Sequence, residues 1–147
     1  MYDKDIRKDD EMKRTLIERA IETLPNSYAP YSRYNVAAAV LMSSGEVYTG
    51  VNVESASLGA TICAERNAIF HAVAEGERKI IAVAIVGGLN GNYGGEYCVP
   101  CGLCRQVMRD FADKDSMIIL SAKSPDDFME NTLEEMLPYS FGPEDLD

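Results

Sequence analysis

Residues Ile80 to Val86 form an unbroken apolar run of seven, IIAVAIV, with neither a charge nor an alternation of polar positions. A run of this length suits a strand buried on both faces, and such a strand demands a covering layer above and below it. The chain carries the parts to supply both layers. From Met12 to Leu24 the residues Met12, Leu16, Ile17, Ala20, Ile21 and Leu24 recur at helical spacing with charges between them, and Pro25 closes the segment. Cys63 to Glu75 carries Ala64, Ala68, Ile69, Ala72 and Val73 at the same spacing, with Gly76 placed where a helix stops. A third helix is expected from about Cys101 to Ala112.

Further strands are expected over Val36 to Met42 and Glu46 to Val53, joined as a hairpin through Ser43-Ser44-Gly45, although Ala37, Ala38 and Ala39 blur the alternation. Another runs from Met117 to Ser121, and a fifth lies near Phe128. Tyr28-Ala29-Pro30-Tyr31-Ser32 reads as a turn, and Gly87 to Glu96, with five glycines, as a loop. Thr132 with Glu135 resembles a capping box opening a short last helix that Pro138 ends. The order αββαβαβ(β)α predicts a three-layer α/β/α sandwich with a mixed central sheet of about five strands. A chain of 147 residues holds one such domain, spanning residues 1–147.

Charge narrows the partners. Fourteen Lys plus Arg against 24 Asp plus Glu leave a net charge of −10, a surface that repels phosphate backbones and anionic membranes. No nucleic-acid or membrane partner is expected, and a small neutral substrate fits. No apolar run approaches the ~20 residues of a spanning helix, and the start from Met1 to Asp10 is charged rather than signal-like, which implies a cytoplasmic protein. In that reducing compartment four cysteines read as metal ligands or reactive thiols before disulfides.

Cys101 and Cys104 are three apart, so in one helical turn their sulfurs share a face and can chelate a single ion. Cys63 opens the second helix. Both groups thus sit at helix starts, where unpaired N–H groups and the positive dipole end favour the thiolate a metal requires. Three thiolates and one empty position describe an open zinc site. Glu65, about 200° around an ideal helix from Cys63, points away from the metal-binding direction and is better placed to exchange protons with a water than to ligate. Zinc lowers the pKa of water toward ~7 in favourable sites, though three thiolates weaken the effect because ion and ligands sum to one negative charge. Arg66 and Arg105, three and four residues from Cys63 and Cys101, are expected to offset that charge.

Cys63-Ala64-Glu65-Arg66 followed by Pro100-Cys101-Gly102-Leu103-Cys104-Arg105-Gln106 resembles the signature of cytidine deaminases. The likeness extends from Tyr28-Ala29-Pro30-Tyr31-Ser32, through Asn52-Val53-Glu54, to the stretch Leu137 to Leu146. The resemblance implies Zn2+ on Cys63, Cys101 and Cys104, with Glu65 as the proton shuttle. It implies that Asn52 and Glu54 hydrogen-bond the sugar hydroxyls and that the Ala64 N–H helps hold the pyrimidine carbonyl. It also implies a homotetramer in which Phe141 closes over a neighbouring subunit's pocket. Tyr34 stands where the family usually has a phenylalanine stacking near the base, and its hydroxyl needs a partner. Ala37 replaces a common glycine, Ser55 a common asparagine, and the Gly87 to Glu96 loop looks longer and richer in glycine than usual.

Simpler readings stand beside these. Cys98, Cys101 and Cys104 are spaced by threes, so with Cys63 they could close a structural zinc site of four thiolates in a non-catalytic module. A redox pair at Cys101 and Cys104 would leave Cys63 and Glu65 without roles. His71, the sole histidine, lies well along the second helix and reads as a helix-face residue. Asn52 and Glu54 could be strand-edge polar residues, and Tyr34 and Phe141 core aromatics. The reading that uses every motif is zinc-dependent deamination of a free pyrimidine nucleoside, cytidine or deoxycytidine, to uridine or deoxyuridine. A deaminase of another aminated heterocycle, such as a nucleoside antibiotic, is the alternative on the same scaffold.

Overall fold

The computed structural model describes residues 1–146. Its elements run α1 (Asp10–Thr23), β1 (Tyr34–Met42), β2 (Val47–Val51), α2 (Ala64–Ala74), β3 (Ile80–Leu89), α3 (Gly102–Asp110), β4 (Ile118–Ser124), β5 (Asp127–Thr132) and α4 (Leu133–Met136). The strands form one sheet in the order β2-β1-β3-β4-β5, with β3 and β4 parallel and the other pairs antiparallel. The apolar run therefore lies in the central strand, as expected.

Both faces of that strand are covered. Leu16, Ile17 and Ala20 of α1 pack with Ala37, Ala39, Leu41, Ala82, Ala84 and Val86 on one side of the sheet. Ala64, Ala68, Ile69 and Ala72 of α2 and Met108 of α3 pack with Ala38, Val40, Met42, Val83 and Ile85 on the other. This explains why β1 shows no polar alternation: its odd residues meet α1 and its even ones meet α2 and α3, so neither face can be polar. The result is the three-layer α/β/α sandwich.

The helix ends follow local chemistry. Asp9 caps α1 by accepting from the Met12 N–H at 3.1 Å, and Pro25 sits in the 3₁₀ turn that follows the helix. Gly76 ends the α2 region at a φ of +96°, a conformation that suits a residue without a Cβ. The Thr132 and Glu135 capping box is formed in both directions.

The expected loop begins later than its glycines suggest. Gly87 and Gly88 belong to β3 and pair with Val36 and Asn35 of β1. A Cβ on Gly88 would come within 1.9 Å of the Asn92 carbonyl oxygen, so this glycine serves a close return of the chain.

Candidate active site

β2 and β3 point the same way because each is antiparallel to β1, and both continue into helices on the same face of the sheet. The starts of α2 and α3 consequently meet at the carboxyl end of those strands, the end where open α/β sheets form their sites. Cys63 and Cys101 occupy the residue before the first helical turn of α2 and α3, and neither side chain caps its helix. Their sulfurs are instead turned toward each other, 3.6 Å apart, with the Cys104 sulfur 3.5 Å from that of Cys101. All three lie within 4.8 Å of one another. Three convergent sulfurs at two helix starts suit a metal ion of thiolate preference. Cys98 is outside this cluster. It is 7% exposed, and burial, then the nearby Glu65, pushes its thiol up to about 12, so the sulfurs that converge are three and not the four of a closed site.

The cluster already favours negative charge. A hydrogen bond from the Cys104 thiol, and then the Arg66 guanidinium 3.5 Å away, bring Cys63 down to about 5; the same bond raises Cys104. Arg66 thus faces the sulfur as expected. Arg105 does not: it donates at 2.8 Å to the carbonyls of Pro100 and Met136. Its guanidinium meets unpaired carbonyl oxygens at the end of α4 and just before α3 and ties those elements together, leaving Arg66 as the cation beside the sulfurs.

Glu65 is 3% exposed in the first turn of α2, and burial followed by the Cys63 charge pushes its carboxyl up to about 7. A carboxyl in that range can take and return a proton near neutrality. Its neighbour Ala64 is the first helical residue, whose N–H has no acceptor within the helix.

A cavity of about 390 Å³ joins these groups. Cys63, Ala64, Glu65 and Cys101 line it together with Asn52, Glu54 and Ser32, and with Tyr34 and Cys98. Its size is that of a small-molecule site. Asn52 and Glu54 lie just beyond β2, where the isolated pairings of Val53 with Tyr28 and Ile62 hold the strand's continuation in place. Glu54 accepts from the backbone N–H groups of Tyr31 and Ser32, each at 3.0 Å, and from the Ser32 hydroxyl. The Ser32 hydroxyl first, and then those N–H groups, lower its pKa. Tyr34 is half-buried, and burial and the Cys98 thiol raise its phenol.

Phe141 is elsewhere. It is 57% exposed and does not line its own chain's cavity. His71 stacks edge-on to Tyr48 at 5.2 Å on the helix surface, as a helix-face residue would. A second cleft, of about 450 Å³, beside Arg78, Lys79 and Arg109 holds the ion pairs Lys79–Asp113 and Arg109–Glu144.

Two residues went unnoticed in the sequence. Gly50 in β2 lies against α2 so closely that a Cβ would meet the Ala68 nitrogen at 2.3 Å; a glycine inside a strand is the signal that could have revealed it. Ser27 contacts Asn52 across the start of β1, and no pattern marks it.

The family model described as the cytidine and deoxycytidylate deaminase zinc-binding region matches residues 10–120. The chain is 41% identical to a cytidine deaminase of Halalkalibacterium halodurans over 134 residues, 91% of this chain and 97% of that protein. It is 37% identical to one from Sporosarcina psychrophila over 131 residues, 89% and 92% of the two lengths. The crystal structure of cytidine deaminase from Burkholderia pseudomallei superposes with a TM-score of 0.77 at 36% identity, covering 86% of this chain and 97% of that one. The matched stretch contains both helix starts that present the sulfurs, and the chain belongs to the cytidine and deoxycytidylate deaminase family.

Proposed function

We propose that the protein hydrolyses cytidine and deoxycytidine to uridine and deoxyuridine with release of ammonia, acting as one cytidine deaminase-like domain. The observation that carries this reading is the buried carboxyl of Glu65 beside three convergent sulfurs in a cavity of small-molecule size. Relatives named cytidine deaminase over nearly the whole chain support it.

Cys63, Cys101 and Cys104 would hold zinc, and Arg66 reduces the charge of that donor set. Bound zinc supplies Lewis acidity that makes water nucleophilic near neutral pH. Glu65 takes a proton from the water that adds at C4 of the base and delivers it to N3. C4 passes from trigonal to tetrahedral, and the second water proton, carried by the same carboxyl, goes to the departing amine. One water is consumed and one ammonia leaves. The Ala64 N–H donates to the pyrimidine carbonyl, Tyr34 packs on the base, and Asn52 with Glu54 holds the sugar.

The rest of the reading concerns surroundings. Leu103, Val99 and Phe141 are exposed apolar side chains, Val99 at the cavity itself, and they support a homotetramer in which Phe141 closes a neighbouring pocket. Among the described residues no helix is long and apolar enough to cross a membrane. The four cysteines form no disulfide, as suits a reducing cytoplasmic setting, and a role in pyrimidine salvage follows from the proposed substrates. A steady-state assay of ammonia release tests the activity across cytidine, deoxycytidine, their monophosphates and adenosine. Turnover confined to the two free pyrimidine nucleosides is expected. Inertness toward both, with turnover of another aminated heterocycle, would favour the alternative substrate class.

A further inference from the structure

The sugar contact assigned to Asn52 depends on which end of its amide faces the cavity, because the oxygen only accepts and the nitrogen only donates. Backbone groups of β1 choose the end. The Val36 N–H donates to Oδ1 at 3.0 Å, and Nδ2 donates to the Tyr34 carbonyl at 2.8 Å. That leaves one lone pair on Oδ1 and one hydrogen on Nδ2. Ser27 takes the lone pair by donating its hydroxyl hydrogen to Oδ1. The direction of that donation is set by Asn35, whose Nδ2 donates to the Ser27 oxygen at 3.0 Å. Asn35, Ser27 and Asn52 thus form a relay that ends on an amide only 9% exposed.

Glu54 is filled in a complementary way. Oε1 accepts two backbone N–H groups and Oε2 accepts the Ser32 hydroxyl, so an acceptor position remains on Oε2. We infer that Ser27, held by Asn35, is a positioning residue that saturates the Asn52 oxygen, so that Asn52 offers a single N–H donor to the cavity that the free acceptor of Glu54 also lines, and the pair is matched to one ring hydroxyl of the sugar, at C2′ or C3′. A hydroxyl accepts one such bond and donates the other, whereas an unsaturated Oδ1 would compete with Glu54 for its hydrogen. The inference rests on the reading of Asn52 and Glu54 as sugar ligands and adds Ser27 and Asn35, which do not line the cavity.

Ser27→Ala removes the donor, and Ser27→Thr keeps a hydroxyl. With cytidine, Ser27→Ala is expected to raise KM roughly three- to tenfold, the size of one hydrogen bond, with kcat within about twofold. Ser27→Thr should restore most of the loss. With 2′,3′-dideoxycytidine, which keeps its 5′-hydroxyl but lacks the 2′- and 3′-hydroxyls that the pair would read, wild type and Ser27→Ala should share one KM. Calorimetric binding of uridine and 2′,3′-dideoxyuridine reads the same contrast without turnover. An equal loss on both sugars, or no loss on either, overturns the positioning role. If Asn52→Ala binds both sugars as the wild type does, the sugar-ligand reading itself fails and the inference falls with it. Wild-type protein that neither turns over nor binds any of these nucleosides overturns the proposed function.

Discussion

The Sγ atoms of Cys63 and Cys101 lie 3.6 Å apart although they are 38 positions apart in the chain. Each is the residue before a helix, and each helix follows one of two strands that run in the same direction on either side of β1. The sulfur cluster is therefore a product of strand order, with Cys104 added from the same turn as Cys101.

Replacing one member of the cluster should remove the ion. Cys101→Ser is expected to reduce zinc from about one per chain to a small fraction of that, because a hydroxyl is a far weaker donor than a thiolate. Cys98→Ser should keep full occupancy, since Cys98 lies outside the cluster. Elemental analysis of both variants after dialysis checks this, and loss of zinc from Cys98→Ser would show that the fourth thiol also binds.

Glu65→Gln keeps the size of the side chain and removes its ability to exchange protons. Zinc content should match the wild type while kcat falls about 10²- to 10⁴-fold, the span associated with a positioned acid–base group. Near-normal turnover in the zinc-loaded variant would end the shuttle role.

Gly50→Ala places a Cβ 2.3 Å from the Ala68 backbone nitrogen and 2.8 Å from the Ala64 oxygen, where only a shift of α2 can relieve the overlap. A loss of about 1–3 kcal/mol in chemical denaturation is expected, as for other overpacked sites. Because α2 carries Cys63 and Glu65, kcat should fall as well, even at temperatures where the variant is folded. Unchanged stability and turnover would mean that the two elements are not in close contact.

Asp9 gives a pH signature far from the site. The Tyr2 hydroxyl, and then the Met12 N–H, lower its carboxyl below the usual range. A depressed folded pKa contributes stability fully above the unfolded value of about 3.9, and the contribution is lost as pH falls through the folded value. Asp9→Ala should accordingly cost about 1 kcal/mol at neutral pH, the usual worth of such a cap, and the gap from wild type should narrow as the pH falls below the unfolded value. Urea midpoints across pH test it; a constant gap would mean that the charge of Asp9 plays no part.

What could be read from the sequence is what local chemistry encodes. The apolar run of β3, the helical spacing in α1 and α2, and the Thr132 and Glu135 cap all appear where local periodicity places them, since each depends on residues a few positions apart. The three cysteines and Glu65 stood out for the same reason, each placed just before or within the first turn of a helix. Arg105 shows the limit. Its spacing from Cys101 suggested a contact with sulfur, but carbonyl oxygens of Pro100 and Met136 claim it, and Met136 lies on an element whose position no spacing reveals.

Only the folded chain decided the remainder. Glu65 becomes a carboxyl poised near neutrality because α2 packs against β1 and β2 and buries it. Cys98 is kept from the other sulfurs although it shares their spacing by threes, and Ser27 reaches Asn52 from a turn 25 residues earlier. Each of these depends on which strands are neighbours. Neighbourhood is settled by the joint burial of both sheet faces, a property of the whole core that no short stretch of residues encodes.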